Sequence, residues 1–198
     1  MFLKKRIVQI SVIILIITFS LFFYYKKNEN VVIGGNFELV NHLGKKTTNK
    51  DFRNNFLLVF FGFTNCPDTC PNTLNNISQV MDQVNQSNDI IPLFITVDPE
   101  RDTVNVLQKY LTNFHPKIIG LTGTSEQINL VKEKYKIFSK KTIHSKKEEH
   151  KNHDHGKYGV DHTKIIYLMS KKGKYVVHFS PENTVSNIVE KIDHYMGL

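Results

Sequence analysis

The first feature of the hydrophobic pattern is a run of apolar residues from 7 to 25, interrupted by a few polar side chains but by no charge. About 19 residues at roughly 1.5 Å each just span a bilayer. Lys4, Lys5 and Arg6 precede the run, and Lys26 and Lys27 follow it. No small-x-small cleavage pattern follows, so a retained anchor is expected rather than a cleaved signal peptide. A basic N-terminus stays inside, which would leave the rest of the chain outside the cytoplasm. An arginine-rich amphipathic presequence is absent, which favours a single-pass protein of a bacterial inner membrane with its C-terminal domain in the periplasm.

Beyond a polar tether at 27–30 the pattern alternates between strand and helix periods. Residues 37–40 predict a short strand, and Asn41, His42, Leu43 and Gly44 a turn. Residues 57–63 form a nearly continuous aromatic and β-branched run, expected to be a central strand buried on both faces. Leu74, Ile77, Met81 and Val84 then recur at helical spacing. A strand over 90–97 is stopped by Asp98-Pro99, because proline restricts the residue before it. Asp102 or Thr103 is placed to cap a helix with Val104, Leu107, Leu111 and Phe114 on its apolar face. Residues 118–121 predict a strand. Thr124 or Ser125 opens a helix carrying Ile128, Val131, Tyr135 and Phe138. Strands at 163–169 and 175–179 flank the turn signal Ser170-Lys171-Lys172-Gly173, and a last helix carries Val185, Ile188, Ile192 and Tyr195. This order implies an α/β sandwich. The expected division is a membrane anchor at 1–27 and one domain at 28–198.

Composition changes the picture in three ways. Forty per cent of the residues are hydrophobic, enough for a core that needs no disulfide. The net charge is +8, but +5 of it lies in residues 1–27, leaving only +3 for the remainder. A nucleic-acid partner is therefore not indicated. There are only two cysteines, Cys66 and Cys70, and both sit where the central strand runs into the first helix.

A strand ending in a cysteine pair at a helix start is the arrangement of thioredoxin-like folds, an analogy that locates a site without specifying its reaction. Pro67 suits a first turn, whereas Pro71 would remove a hydrogen bond from a helix already running through Cys66. Residues 66–70 are therefore expected to form a tight loop, with the helix beginning near Cys70. Amides at that start would favour thiolate over thiol. The pair can close reversibly into a disulfide or hold a soft metal. A permanent disulfide closing so small a loop would add little stability.

Two cysteines rarely complete a metal site. Among nine histidines, His162 lies just before the strand at 163–169, where a thioredoxin-like sheet brings the chain beside the cysteine turn. Alone it would read as a loop histidine bonded to Asp161 or to backbone. With the cysteine pair present, the ligand reading is favoured, and two thiolates with one imidazole suit copper in either common oxidation state.

The stretch Gly62-Phe63-Thr64-Asn65-Cys66-Pro67-Asp68-Thr69-Cys70-Pro71 resembles the cysteine motif of the Sco/SenC family of copper metallochaperones. Asp161-His162 is similar to that family's distal histidine motif, and residues 97–103 to a further family segment. The resemblance covers nearly all of 31–198. It implies a thioredoxin-like domain behind an N-terminal transmembrane helix, with Cys66, Cys70 and His162 as copper ligands and Asp161 beside the site. It also implies delivery to the dinuclear copper centre of the copper-bearing subunit of cytochrome c oxidase, and a thiol reductant to keep the cysteines free.

The chain departs from the family pattern at 144–155, where His144, His150, His153 and His155 sit in a lysine- and glutamate-rich run. Its composition favours a solvated loop over a second metal-collecting segment. Asp98 is expected to be structural. The main rival function is a thiol–disulfide oxidoreductase using Cys66 and Cys70 as a redox pair on the oxidase subunit's cysteines. A peroxidase is disfavoured because Phe63-Thr64-Asn65 lacks the proline expected ahead of a peroxide-reactive cysteine. A sensor that passes no metal on would use the same ligands.

Overall fold

A computed structural model describes Arg6, Ser11 and residues 13–22, 32–85, 87–142 and 158–197. Residues 13–22 are helical. No helix among the described residues is long and apolar enough to cross a membrane. The expected span at 7–25 lies partly outside the described residues, as do four of its five flanking cations and the histidine-rich run at 144–155.

Residues 33–198 form one compact unit. Its elements run β1 (Glu38–Asn41), β2 (Lys46–Thr48), β3 (Phe56–Gly62), α1 (Thr69–Gln83), β4 (Ile90–Thr96), α2 (Val104–Leu111), β5 (Ile119–Thr122), α3 (Ser125–Lys134), β6 (Ser139–Thr142), β7 (Gly159–His162), β8 (Ile166–Met169), β9 (Tyr175–Phe179) and α4 (Val185–Met196). Seven strands make one mixed sheet in the order β2-β1-β5-β4-β3-β8-β9, while β6 and β7 pair separately.

The sheet is organised around β3, as its composition predicts. It pairs in parallel with β4 from Phe56↔Ile90 to Gly62↔Thr96, and antiparallel with β8 from Leu57↔Met169 to Phe60↔Ile166. Every residue from Leu57 to Phe61 is buried, so both faces of the strand are covered. Adjacent side chains serve opposite faces. Phe60 meets Phe94 at a ring separation of 6.0 Å, and Phe61 meets Tyr135 at 5.3 Å. Pro92 is accommodated inside β4 because pairing with β5 starts only at Leu93.

The helices start where short polar side chains can satisfy free amides. Thr103, Thr124 and Thr184 each accept a hydrogen bond from the backbone two or three residues into α2, α3 and α4, and Thr124 forms a full capping box with Gln127. Gly197 ends α4 in the left-handed conformation at φ 84°.

Three expectations need correction. The helix expected to reach Phe138 ends at Lys134, and Lys136 then turns the chain with φ 57°, leaving Phe138 exposed. Tyr195 is exposed as well, so the buried stripe of α4 rests on Ile188 and Ile192. The segment holding His162 is a β-hairpin strand rather than a loop, with β7 pairing to β6 from Ser139↔His162 to Thr142↔Gly159.

Candidate metal centre

The parallel strands β3 and β4 end side by side at Gly62 and Thr96, and the site lies just beyond these carboxyl ends. From Gly62 the chain passes through Phe63 into a short loop, closed by a bond from the Cys66 amide to the Phe63 carbonyl at 3.3 Å. Helix α1 begins at Thr69. Pro71 therefore falls in its first turn, where a missing N–H costs nothing. Asp68 stands at the N-cap, but its carboxylate takes the Asn72 amide at 2.7 Å and caps no backbone group. The Cys66 sulfur accepts the Cys70 backbone N–H instead, at 3.4 Å. One free amide of the helix start is thus turned onto a sulfur.

Cys66 is half-buried and Cys70 fully buried, and both are free. The Cys66 thiol is pulled down to about 3. The hydrogen bond from Cys70 is the main cause, helped by His162 and by the backbone N–H groups of Cys70 and Asp68, with burial acting the other way. Cys70 is pushed up by the neighbouring Cys66 sulfur and by burial. The pair therefore holds one proton, on Cys70, and presents a thiolate at Cys66.

His162 closes the group from the end of β7. The hairpin is pinned at that point by the Thr163 amide on the Phe138 carbonyl, at 3.0 Å, and by the Phe138 amide on Thr163 Oγ1, at 3.0 Å. The imidazole is buried, with the Phe63 ring edge-on at 5.7 Å and the Phe60 ring at 6.4 Å. Its Nδ1 lies 2.9 Å from the Thr163 carbonyl oxygen. A carbonyl only accepts, so Nδ1 carries a proton and Nε2 is the ring nitrogen turned toward the sulfurs. That Nε2 faces Cys70 Sγ at 3.4 Å. The orienting role considered for Asp161 falls to the Thr163 carbonyl, and the Asp161 side chain is exposed.

The three donor atoms lie within 4.8 Å of one another, the one such group of metal-ligating side chains among the described residues. Bonds of about 2.0–2.3 Å from nitrogen and sulfur to a shared ion put three donors roughly 3.5–4 Å apart. The separations present need only small adjustment. Two sulfurs and an imidazole nitrogen suit a soft ion.

Sequence reasoning missed the frame behind these donors. Asp102 was a candidate helix cap, but that task belongs to Thr103. Asp102 is fully buried, and its carboxylate accepts from Thr64 Oγ1 and Thr96 Oγ1 at 2.6 Å each and from the Thr64 amide at 3.1 Å. Burial pushes its pKa up, while the bonds from Thr64 and Thr96 oppose this. Asp98 is also fully buried, between Arg101 Nε and the Tyr158 hydroxyl. The available signal was three acids and an arginine crowded directly behind a buried strand, a density of charge that a plain turn does not need.

The fold and site together define a thioredoxin-like α/β protein in which a dithiol and a buried imidazole converge. A SCO1/SenC family model matches residues 25–197, and the chain belongs to that family. It is 40% identical over 163 residues to a SCO2-like protein of Rickettsia felis, covering 82% of this chain and 76% of the relative. The mitochondrial SCO1 homolog of Homo sapiens is 37% identical over 168 residues, covering 83% of this chain and 53% of that protein. Among solved structures, copper-bound ScoI of Arabidopsis thaliana superposes with a TM-score of 0.75 at 36% identity, covering 83% of this chain and 98% of that one. Copper-bound yeast Sco1 gives 0.72 at 32% identity, covering 84% and 89%.

Proposed function

We propose that this chain is a membrane-anchored copper chaperone that holds one copper ion through Cys66, Cys70 and His162. In this reading it passes the ion to the dinuclear copper centre of cytochrome c oxidase. The observation that carries the reading is the approach of His162 Nε2 to Cys70 Sγ, with Nδ1 already committed to a backbone carbonyl. That arrangement directs the second ring nitrogen at the two sulfurs, where it can serve as a third donor to a metal. The copper-bound relatives support the choice of metal.

Membership of the family supports a role in oxidase assembly, with the copper-bearing subunit as recipient and a thiol reductant upstream. The uncharged apolar run at 7–25, behind Lys4, Lys5 and Arg6, supports a single-pass anchor with the domain at 28–198 in the periplasm. Cys66 is exposed enough to meet a recipient ligand while Cys70 and His162 stay behind it, so release by stepwise ligand exchange would begin at Cys66.

The second reading, a thiol–disulfide oxidoreductase acting on the oxidase subunit, is favoured by the Cys66 thiolate. The two separate at His162. In the full chain in detergent, His162→Ala should weaken copper binding by at least about 100-fold, as expected for losing a ligand rather than a supporting contact. Exchange with a small aromatic disulfide should continue. Unchanged copper affinity would remove His162 from the site and leave the oxidoreductase reading.

A further inference from the structure

The five residues from Asp98 to Asp102 touch both arms of the metal centre from behind the donors. On the cysteine arm, Asp102 accepts the backbone and side-chain donors of Thr64, two residues before Cys66. The Thr96 hydroxyl bonds the same carboxylate, and the Thr122 hydroxyl bonds the Asp102 carbonyl at 2.8 Å, so the anchor is fastened to the ends of β4 and β5. On the histidine arm, Tyr158 stands just before β7, four residues ahead of His162. Its hydroxyl donates to Asp98 at 2.9 Å, and its carbonyl accepts from Arg101 Nη1 at 3.1 Å. The Arg101 guanidinium lies 4.0 Å from the Tyr158 ring centroid and 5.7 Å from that of Phe63, whose ring edge meets His162. Lys141 on β6 pairs with Glu100 at 2.7 Å and lies 4.7 Å from the Tyr158 ring centroid.

We propose that this loop is a positioning device that sets the spacing between the sulfurs and the imidazole, with Asp102 governing the cysteine arm and Asp98, Arg101 and Tyr158 the histidine arm. The inference rests on the copper-binding reading. The histidine hairpin is a separate two-stranded sheet, so the main sheet's ladder fixes Ile166 opposite Phe60 but stops four residues short of His162. Two fully buried carboxylates are costly to desolvate unless hydrogen-bonded, and here each bonds one arm. Because the two carboxylates are four residues apart on one turn, closed by the Asp102 amide on the Asp98 carbonyl at 2.9 Å, the arms share a single rigid reference.

The test uses the full chain in detergent and three variants, Tyr158→Phe, Arg101→Lys and Asp102→Asn. Three quantities are read: copper affinity by competition with a chelator, nitrogen coupling in the electron paramagnetic resonance spectrum of the Cu(II) form, and the rate of exchange with a small aromatic disulfide. The Nδ1 proton resonance of His162 in the metal-free chain is a fourth. Changes on the histidine arm, Tyr158→Phe and Arg101→Lys, should lower copper affinity about 10–100-fold, weaken the nitrogen coupling and broaden the Nδ1 signal, while the exchange rate changes several-fold less than the affinity. Asp102→Asn should lower affinity and change the exchange rate together. Unaltered affinity and spectra in both histidine-arm variants would overturn the proposal, as would an equal fall of every readout with the unfolding midpoint in all three. Tyr158→Phe removes a single hydroxyl and decides the matter alone if the others do not fold. An unmodified chain that bound no copper would instead overturn the function reading, and the Nδ1 signal of the metal-free variants would then judge the positioning by itself.

Discussion

Cys70 Sγ lies 3.4 Å from His162 Nε2, although 92 positions separate the two residues in the chain. The contact depends on two independent pieces of folding. The end of β3 delivers the sulfurs to the start of α1, and the β6–β7 hairpin delivers the ring. The Thr163 carbonyl then fixes which nitrogen faces the sulfur.

The thiolate at Cys66 makes a first prediction. With its pKa held at about 3, Cys66 is ionised throughout the neutral range, whereas an ordinary thiol near 8.5 is about 0.3% ionised at pH 6. Alkylation of Cys66 by iodoacetamide should therefore be nearly flat from pH 5 to pH 8. A tenfold rise per pH unit across that window would show an ordinary thiol. The same shift links to stability. A folded pKa below the unfolded one stabilises the reduced protein fully above the ordinary thiol value, and this is lost as pH falls toward 3. Reduced chain should gain stability between pH 4 and pH 8 relative to Cys66→Ser.

Gly62 makes a second. A Cβ placed there would come within 2.7 Å of Phe94 Cε2 and 2.9 Å of Cys70 Sγ, both held inside the core. Gly62→Ala should therefore destabilise the fold by about 1–3 kcal/mol and push the Cys70 sulfur off its position. Urea denaturation measures the first effect and copper affinity the second. An unchanged midpoint would mean that the turn after β3 yields more easily than its packing suggests.

Some of this was legible in the sequence and some was not, for physical reasons that differ by element. Strand β3 announced itself because burial on both faces demands an unbroken apolar run. Thr103 and Thr124 were readable as helix starts because capping is local chemistry. The cysteines and His162 were legible because few residue types can hold a soft metal. Strand β6 was hidden because Ser139–Thr142 carries two lysines and exposes most of its side chains, so no alternation marks it. Strand β2, Lys46–Thr48, is three residues long and exposes all but Thr47 to some degree. The duty of Asp102 was invisible for another reason. Its partners Thr64, Thr96 and Thr122 lie on other segments, and an acid before Thr103 reads locally as a cap.

The histidine-rich run at 144–155 makes a third prediction. Cys66, Cys70 and His162 already supply three donors within 4.8 Å, a complete set for Cu(I). Deleting 144–155 and joining the ends with a short Gly/Ser linker should leave one tightly held copper per chain. Titration of the reduced protein checks this. Loss of tight binding would mean that the run supplies a ligand and that the three-donor assignment is incomplete.

The unequal burial of the two sulfurs makes the last prediction, and it concerns how the site is gated. Joining the Cys66 thiolate to the Cys70 thiol gives two electrons to an oxidant, releases the one proton held on Cys70 and takes both sulfurs out of the donor set. Oxidised chain should hold no tightly bound copper, falling from one equivalent to none in the same titration. Reopening needs a thiolate from a reductant to attack one sulfur, forming a mixed disulfide and releasing the other. Cys70 is fully buried, so attack must fall on half-buried Cys66. The direction of the chemistry is thus set by burial, while the proton distribution favours the same sulfur when the site is first oxidised. Exposed to glutathione disulfide, Cys70→Ser should take up one glutathione at Cys66, and Cys66→Ser should remain largely unmodified at Cys70, as intact-mass measurement would show. Equal modification of both variants would mean that the Cys70 sulfur is reachable, and the order of opening proposed for the site would fail.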